Sequence, residues 1–456
     1  MTEHTFDLVV LGGGSGGYAT AIRASELGRS VAVIEKDKVG GTCLHRGCIP
    51  TKALLHTAEV ADHVRSAAGV GVTASLEGID ATAVTAYREG IVAKKYAGLL
   101  GLLKARGITV VEGEGRLLAD RGVAVGDDVY RGADVVLATG SYSRTLPGLE
   151  IGGRVLTSEG ALALDVVPER VIVLGGGVIG VEFASVWRSF GAEVTIVEAL
   201  DHLVPNEDIA LSKGLERAFR KRGIGQKLGV RYASVSQTDA AVSLTLEDGT
   251  VLEADYLLVA VGRGPATDGL GFDEAGVARE RGFVTVDERL QTSAAHIWAV
   301  GDIVRGLQLA HRSFQQGIFV AEQIAGLSPV AVPEASIPRI TYSSPEVASV
   351  GLTEAQAREL HGEGVQTYEY NLAGNAKSEI IGTAGLVKVV RTESGPIVGV
   401  HLIGDRVGEL ITEGQLAVGW EAHPEDLAPL IHAHPTQSEA LGEAFLALAG
   451  KPLHAL

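Results

Sequence analysis

The sequence predicts an α/β protein built on two copies of one strand–helix–strand unit, followed by a separate α+β domain. Residues 6–35 hold the first copy, and residues 170–198 hold the second. From about residue 336 the glycine-rich turns end, and segments such as GLVKVVR and IVGVHLIG indicate an antiparallel sheet accompanied by apolar helices. A chain of 456 residues has room for two or three such domains.

The first copy ends its opening strand, FDLVVL, in a glycine turn with the pattern Gly12-x-Gly14-x-x-Gly17. A helix follows, and a second strand, SVAVIE, ends at Glu35. In dinucleotide-binding units the first glycine allows the tight turn, the second leaves room for the pyrophosphate, and the third lets helix and strand pack closely. The helix N-terminus then faces the phosphates, and the terminal acid binds ribose hydroxyls.

The second copy reads RVIVLGGGVIGVEFASVWRSFGAEVTIVE, and its matching positions are Gly175, Gly177, Gly180 and Glu198. All four lie 163 residues beyond their counterparts in the first copy. One such motif is a weak signal, but two in register predict two bound dinucleotides. Glu198 favours a free ribose 2′-hydroxyl, and no arginine follows it in ALDHLVP, so NAD rather than NADP is expected at the second site.

Both cysteines of the protein, Cys43 and Cys48, lie in residues 40–55, GGTCLHRGCIPTKALL. A loop this short constrains an unfolded chain little. The pair therefore suits either a disulfide that cycles with a dithiol or two buried unpaired cysteines, and the spacing alone does not separate these interpretations. A zinc site is disfavoured because no second pair of cysteines completes it.

A Cys43–Cys48 disulfide cannot lie on one regular helix. Five residues of α-helix rise about 7.5 Å, whereas bonded cysteines need Cα atoms within roughly 4.4–6.8 Å. Gly47 and Pro50 are the residues expected to distort the turn. The run TKALLHTAEVADHV after Pro50 favours a helix, which places Cys48 near a helix N-terminus, where a thiolate is stabilised.

Residues 431–439, IHAHPTQSE, carry a second candidate group of reactive side chains. His432 and His434 alternate along an extended stretch, and Pro435 is predicted to start a helix. Glu439 then lies about one and a half helical turns beyond His434 and can orient its imidazole, as a general base requires.

Two other interpretations of this segment remain open. Thr436-x-x-Glu439 matches a capping box, in which Glu439 only caps the helix. His432 and His434 with His423 would supply three metal ligands, but no carboxylate or thiolate stands at a ligand spacing, and no metal is expected. The sequence pattern alone fits the base and the cap equally well.

Three further strand patterns end at glycines. ADVVLATG ends at Gly140, DYLLVAVG at Gly262, and IWAVG is followed directly by Asp302. A carboxylate at this last position can accept hydrogen bonds from a sugar-like hydroxyl chain, although an ordinary turn aspartate is the simpler interpretation. The next segment, LAHRSFQQGIFVAEQIAG, predicts an amphipathic helix.

The overall charge excludes some partners. A net charge of −17 and a pI near 5.3 argue against nucleic acid and anionic membrane surfaces. No signal peptide is visible at the start, and no apolar run is long enough to cross a bilayer. With only two cysteines, a reducing, cytoplasmic location is expected.

Taken together, these residues resemble the pyridine nucleotide–disulfide oxidoreductases, and among them most closely the dihydrolipoamide dehydrogenases. The resemblance covers essentially the whole chain: both glycine motifs, GGTCLHRGCIPTK, IWAVGD, and HAHPT with Glu439. It implies a homodimer with FAD tightly bound to each subunit, NAD as the second cofactor, two Rossmann-like domains and a C-terminal α+β dimerisation domain. The implied ranges are 1–147 for the FAD-binding domain, 148–268 for the NAD-binding domain, 269–335 for a central segment completing the FAD domain, and 336–456 for the interface domain.

The resemblance also implies roles for single residues. Cys43 is the interchange thiol that meets substrate, and Cys48 is the thiol that faces the flavin. Lys52 lies near the flavin and pairs with Glu182. The implied cofactor positions are Gly12, Gly14, Gly17, Glu35, Thr42, Lys52, Gly140, Asp302 and Ala310 for FAD, and Gly175, Gly177, Gly180, Glu198 and Gly262 for NAD.

The implied activity is FAD-dependent oxidation of protein-bound dihydrolipoamide to lipoamide, with reduction of NAD to NADH through the Cys43–Cys48 disulfide. His434 and Glu439 then form a base that each subunit contributes to the cysteines of the other. The implied partner is the dihydrolipoyl domain of a 2-oxo acid dehydrogenase acyltransferase.

Two alternative functions are weighed against this one. The first is an NAD(P)H-dependent reductase of a low-molecular-weight disulfide of the glutathione or mycothiol type, which the HAHPT segment disfavours. The second is a flavin-binding assembly component without catalysis, which the intact cysteine and histidine pairs disfavour.

The sequence departs from the family pattern in three places. Ser15 stands where many relatives have proline, which should leave phosphate binding intact. His45 and Arg46 replace a common Asn-Val pair and place an imidazole and a cation beside the sulfurs, with an effect on redox potential whose sign is open. Gln315 and Gln316 stand where acids are usual, so a less negative flavin environment is expected.

Overall fold

The computed structural model describes residues 2–331 and 333–454, which form two compact units. The first unit covers Met1–Ala53, Thr82–Arg144 and Gly262–Glu334. The second unit covers Leu54–Ala81, Thr145–Val261 and Ala335–Leu456. Within the described residues, no helix combines the length and apolarity that a membrane crossing requires.

The α-helices are numbered in chain order. They are α1 (Ser15–Glu26), α2 (Gly41–Arg46), α3 (Cys48–Ser66), α4 (Ala81–Ala105), α5 (Ser158–Leu162), α6 (Val178–Phe190), α7 (Ile209–Arg222), α8 (Ala310–Ile324), α9 (Glu354–His361), α10 (Ala376–Ile381), α11 (Val407–Gly419), α12 (Pro424–Leu427) and α13 (Glu439–Leu448). Short 3₁₀ turns lie at Ala67–Val70, Gly301–Ile303, Glu334–Ser336 and Leu372–Gly374.

The strands of the first unit are β1 (Thr2–Leu11), β2 (Val31–Glu35), β3 (Thr109–Glu112), β4 (Gly115–Leu117), β5 (Val123–Val125), β6 (Asp128–Leu137), β7 (Ser141–Ser143), β16 (Arg263–Pro265), β17 (Arg279–Glu280), β18 (Phe283–Val284) and β19 (Ile297–Ala299). Those of the second unit are β8 (Val155–Leu156), β9 (Arg170–Leu174), β10 (Glu193–Glu198), β11 (Gly225–Leu228), β12 (Tyr232–Gln237), β13 (Val242–Leu246), β14 (Val251–Ala254), β15 (Tyr256–Val259), β20 (Arg339–Thr341), β21 (Glu346–Gly351), β22 (Gln366–Asn371), β23 (Leu386–Arg391) and β24 (Ile397–Gly404).

The first unit is organised around one largely parallel sheet with the order β3-β2-β1-β6-β5-β4, in which β19 also pairs with β6. Val9 of β1 lies opposite Ala32 of β2 and Val135 of β6. Successive residues of β1 contribute to two different apolar clusters, one on each face of the sheet. This explains why the strand reads as a continuous apolar run, and why its carboxyl end opens into the glycine turn before α1.

The second unit repeats this plan and adds another layer. Its parallel sheet has the order β11-β10-β9-β15-β8, and α6 connects β9 to β10. A separate sheet, β20-β21-β24-β23-β22, is antiparallel throughout, and its apolar face shares one core with residues of α11 and α13. The α/β class and the antiparallel C-terminal sheet predicted from sequence are therefore confirmed. The division into four domain ranges stays a prediction.

One predicted helix start is wrong. α13 begins at Glu439, and Pro435 lies in the irregular segment before it. The Thr436 hydroxyl donates to the carbonyl of Ala433 at 2.6 Å, forming a local turn that competes with helix formation. The irregular segment that holds His432 and His434 thus continues through Pro435 until α13 begins.

Candidate active site

The first glycine turn is tightly packed at its two outer glycines, Gly12 and Gly17, and open at the middle one, Gly14. Gly12 has a φ of +104°, and a Cβ there would lie 2.2 Å from the Ala138 carbonyl oxygen. A Cβ on Gly17 would lie 1.9 Å from the Gly12 carbonyl oxygen. A Cβ on Gly14, in contrast, would meet no atom within 4 Å. The open space faces the N-terminus of α1, where backbone N–H groups bind anions.

The second turn has the same geometry. Gly175 has a φ of +113°, and a Cβ on Gly180 would lie 1.9 Å from the Gly175 carbonyl oxygen. A Cβ on Gly177 would meet nothing within 4 Å. Both turns therefore fit the phosphates of a dinucleotide, as the repeated motif predicts.

The two acids at the strand ends are also held alike. Glu35 accepts from the N–H of Gly13 at 2.7 Å and from that of Asp37 at 3.0 Å. Glu198 accepts from the N–H of Gly176 at 2.6 Å and from that of Leu200 at 2.8 Å. Each carboxylate is thereby fixed beside its glycine turn, in the position from which it can accept ribose hydroxyls.

Asp302 lies in the 3₁₀ turn that follows β19 and is part of a polar group in the first unit. Its Oδ2 accepts from the Ser141 hydroxyl at 2.6 Å, and that hydroxyl accepts from Arg263 Nε at 2.7 Å. Gly140 has a φ of +77° and faces open space. These polar side chains beside open space can bind a chain of hydroxyl groups, such as the ribitol of FAD, so the residues fit FAD.

The remaining positions implied by the resemblance lie at element ends. Thr42 is in α2, Ala310 opens α8, and Gly262 precedes β16 with a φ of +101°. Gln316 is buried and accepts from the Gly301 N–H at 2.8 Å, whereas Gln315 is exposed. Gln316 therefore orients the backbone beside Asp302, a role that a neutral side chain can fill.

The cysteine segment is built from two helices that meet at a bend. Cys43 lies in α2, Cys48 is the first residue of α3, and Gly47 between them has φ −145° and ψ −108°. Both cysteines are present as thiols, and their sulfurs are within hydrogen-bonding reach of each other. The predicted interruption at Gly47 and the place of Cys48 at a helix N-terminus are confirmed.

The proton of Cys43 is held by its surroundings. The hydrogen bond with Cys48, and after it burial, raises the pKa of the Cys43 thiol above its ordinary value. The Lys52 ammonium and the Ser15 hydroxyl act in the opposite direction but do not reverse the shift. In the dithiol state Cys43 thus carries a proton near neutral pH, and reaction at this sulfur requires a base.

Tyr18 is a neighbour of the cysteines that sequence reasoning missed. Burial, together with the negative charge of Cys43 and Cys48, raises its pKa to about 12. The spacing from Ser15 was the available signal, because residues three apart share one helix face. The phenol remains protonated and can donate a hydrogen bond toward the sulfurs.

His45 and Arg46 anchor the cysteine segment to the loop after β2. His45 Nε2 lies 2.9 Å from the Val39 carbonyl oxygen, and its ring packs edge-on against Tyr96 at 5.0 Å. Arg46 forms an ion pair with Asp37. These two residues therefore hold α2 in place by contacts with the backbone and a surface acid.

The base predicted near the C-terminus is assembled within the second unit. His434 Nδ1 lies 2.8 Å from Glu439 Oε1, and the imidazole is 73% exposed. The contact with the carboxylate favours the tautomer in which Nδ1 carries the proton and Nε2 is the acceptor. An exposed Nε2 is suited to take a proton from a group on another molecule.

Glu439 contacts both the His434 imidazole and the backbone that precedes α13. Burial by itself would raise its pKa, but the Thr436 N–H at 2.8 Å and the contact with His434 lower it. Its two oxygens bind different partners, Oε1 the imidazole and Oε2 the backbone. The predicted capping box of Thr436 and Glu439 is not formed, because α13 has Ser438 as its N-cap and the Thr436 hydroxyl donates to the Ala433 carbonyl instead.

The other implied residues have different surroundings. His432 is paired with Glu413 at 2.7 Å, and no group of three or more His, Cys, Asp or Glu among residues 2–331 and 333–454 is arranged to hold a metal ion. Glu182 lies in α6, is buried, and accepts from the Tyr342 N–H at 2.9 Å. Its pairing with Lys52 stays a prediction.

Comparison with known proteins agrees with this geometry. Residues 6–317 match the family pyridine nucleotide-disulphide oxidoreductase, and residues 337–445 match the dimerisation domain of the same family. The chain therefore belongs to the pyridine nucleotide-disulphide oxidoreductase family. It is an NAD-dependent flavoprotein of the disulfide oxidoreductase class and forms a homodimer.

Relatives resemble the chain over its whole length. It is 40% identical to a dihydrolipoyl dehydrogenase of Bacillus subtilis, over 98% of this chain and 99% of that one. It is 38% identical to the dihydrolipoyl dehydrogenase of Thermus scotoductus, over 99% of both. A leghemoglobin reductase of Vigna unguiculata is 38% identical over 98% of this chain and 88% of its own.

Solved structures show the same fold. The crystal structure of LpdA from Mycobacterium tuberculosis superposes with a TM-score of 0.88, at 28% identity, over 98% of this chain and 100% of that one. The HOCl-induced flavoprotein disulfide reductase RclA from Escherichia coli gives a TM-score of 0.87 at 29% identity, over 96% of this chain and 99% of its own.

Proposed function

We propose that this protein is a dihydrolipoyl dehydrogenase, which oxidises protein-bound dihydrolipoamide to lipoamide and reduces NAD to NADH. The observation that carries the proposal is the pairing of Cys43 with Cys48 at a bend between two helices, beside the first dinucleotide fold. Relatives named dihydrolipoyl dehydrogenase at 36–40% identity support the substrate, and they do not favour a reductase of small disulfides.

The sulfur steps begin from the Cys43–Cys48 disulfide. His434 of the partner subunit takes a proton from one substrate thiol, and the resulting thiolate attacks Cys43. A substrate–Cys43 bond forms, the Cys43–Cys48 bond breaks, and Cys48 leaves as a thiolate. The second substrate thiol then attacks the substrate sulfur bonded to Cys43, so the bond to Cys43 breaks and lipoamide is released. The proton of this second thiol passes to the leaving Cys43, whose raised pKa favours the thiol, and the first proton remains on His434.

The cofactors complete the electron path. Bound flavin supplies the two-electron chemistry that connects the reduced cysteines to NAD, and the chain itself supplies position and proton control. The glycine turns and Glu35 would hold FAD, with Asp302 on its hydroxyl chain and Lys52 near its ring. The second turn and Glu198 would hold NAD with its free 2′-hydroxyl.

The partner follows from the substrate. A dihydrolipoamide carried on a protein reaches the cysteines only with its domain docked nearby, so the dihydrolipoyl domain of a 2-oxo acid dehydrogenase acyltransferase is the proposed partner. A cytoplasmic location remains part of this proposal.

Replacing Cys48 tests the function. Cys48→Ser should abolish NAD reduction by dihydrolipoamide while flavin stays bound, because no internal disulfide can form. Turnover is followed as NADH absorbance, and flavin content by the visible spectrum. Cys43→Ser is the matched control: it also loses turnover, but it keeps a thiolate at Cys48 and hence a long-wavelength shoulder on the flavin band. A Cys48→Ser enzyme with full turnover contradicts the proposal.

A further inference from the structure

The loop that carries His434 has little apolar burial to hold it. Residues 428–438, between α12 and α13, form neither helix nor strand. Ile431 is 98% exposed, and the His434 imidazole is 73% exposed. Within its own subunit this loop gains little from the hydrophobic effect, so polar contacts are what hold it to the rest of the same chain.

His432 is the side chain of this loop that turns back into the protein. Its imidazole is 13% exposed, and Nε2 lies 2.7 Å from Glu413 Oε1 in α11. Glu413 is an acceptor, so the ring nitrogen that faces it carries a proton.

α13 is shaped to admit this ring. A Cβ on Gly442 would lie 2.6 Å from His432 Nδ1. Glycine inside a helix is unfavourable relative to alanine. Moving the ring aside to admit a side chain would break its contact with Glu413. α13 therefore has a glycine, Gly442, at the position where the His432 ring packs.

His432 also acts on the partner of His434. The hydrogen bond with Glu413 raises the pKa of His432, and the charge of Glu439 adds to this effect. Burial opposes ionisation of Glu439, but hydrogen bonds and the charges of both histidines lower its pKa. Two acids on two helices therefore face His432: Glu413 from α11 and Glu439 from α13. The charge of a protonated His432 adds to the contacts that favour the ionised form of Glu439, the acceptor for His434.

We propose that His432, held by Glu413, is the positioning residue of the base: it fixes the loop so that His434 keeps Nδ1 on Glu439 and presents Nε2 to the thiol. The inference rests on the proposed oxidation of a dithiol. His432 acts through its neighbours and does not meet the reacting sulfur atoms.

The test compares two substitutions of His432 in two backgrounds of the full-length holoenzyme. His432→Leu fills the volume but removes the donor, and we expect about a tenfold loss in kcat for dihydrolipoamide oxidation, less than the roughly 10²–10⁴-fold contribution of a general base itself. His432→Gln keeps an N–H for Glu413 and should retain most activity. In a His434→Gln background, His432→Leu should cause no further loss, because residues that act as one unit are not additive.

Two controls separate positioning from general destabilisation. NADH-driven reduction of the flavin, which needs no base at the thiol, should be unchanged in His432→Leu. His4→Leu removes another histidine paired with an acid, Asp128 at 3.8 Å, and should leave turnover unchanged.

Several outcomes overturn the inference. Wild-type turnover in His432→Leu overturns it. An equal loss of kcat in the wild-type and His434→Gln backgrounds also overturns it, as does a matching loss of flavin reduction by NADH in His432→Leu. If wild-type protein fails to oxidise dihydrolipoamide, the proposed function fails and the inference with it. If wild-type turns over and His434→Gln does not, but His432→Leu behaves as wild type, only the inference fails.

Discussion

Single residues in this protein owe their acid–base behaviour to a few close neighbours. Cys43 retains its proton because Cys48 accepts a hydrogen bond and burial disfavours the thiolate, while Lys52 only partly offsets these effects. Glu439 ionises more readily because its two oxygens have separate donors. The thiol that holds its proton and the carboxylate that holds its charge therefore have opposite surroundings.

Glu346 in β21 gives a prediction at the residue scale. Burial raises its pKa to about 7, although the Gly408 N–H at 2.9 Å opposes the shift. Because the pKa in the fold lies above the ordinary value, the stabilising contribution of this carboxyl is complete below about pH 4.5 and is lost as the pH rises through about 7. Glu346→Gln keeps an acceptor for Gly408, so it should raise Tm relative to wild type above about pH 7 and much less near pH 5.

Thermal unfolding of both proteins across this pH range checks the sign. Glu363→Gln, at a side chain 97% exposed, is the matched control and should change Tm little at either end. A Glu346→Gln protein that gains stability only at low pH would contradict the assignment.

At the scale of elements, the glycines of each strand–turn–helix unit differ in their surroundings: some are tightly packed and one faces open space. Gly17 and Gly14 lie three residues apart in one motif, yet a Cβ at the first would lie 1.9 Å from a backbone oxygen and at the second would meet only open space. The third glycine of the motif therefore serves the fold, and the open space at the middle one fits a ligand.

Substitution by alanine should separate these roles. Gly17→Ala must push α1 away from the turn, so we expect a lower Tm and poor recovery of folded protein. Gly14→Ala should fold with a circular dichroism spectrum like that of wild type but retain less FAD, because its methyl group takes up room beside the phosphates. Flavin-to-protein absorbance ratios and Tm measure the two effects. Equal loss of stability in both variants would show that Gly14 also has a packing role.

At the scale of the whole molecule, the question is whether the exposed His434 imidazole acts on the cysteines of a second subunit. Residues 337–445 match a dimerisation domain, and the His434 imidazole is largely exposed in the single chain. If the base serves the cysteines of the partner, two inactive variants should complement each other. Cys48→Ser lacks a disulfide and His434→Gln lacks a base, yet a hybrid dimer contains one complete site.

Hybrid dimers, made by denaturing and refolding the two variants together, should therefore regain dihydrolipoamide oxidation that neither homodimer shows. Each variant refolded alone is the control. A hybrid without activity, in a preparation shown by tag-based purification to contain both chains, would place the base and the cysteines in the same subunit.

Much of the candidate site was predictable because its signals are local. The glycine spacing, the Gly47 interruption and the five-residue reach from His434 to Glu439 all depend on backbone geometry over a few residues. The helix start predicted at Pro435 was wrong for the same kind of reason: hydroxyls at Thr436 and Ser438 form local hydrogen bonds that delay the helix to Glu439.

The sequence by itself determined the two dinucleotide-binding units, the paired cysteines and the antiparallel C-terminal sheet, since each depends on periodicity or on a residue type that the local backbone requires. The fold was needed to show that Ser15 and Tyr18 lie beside Cys43 and that His432 faces Glu413. These contacts join residues from different elements, and burial then shifts their proton affinities. The spacing of residues along the chain predicts neither these contacts nor the pKa shifts that burial causes.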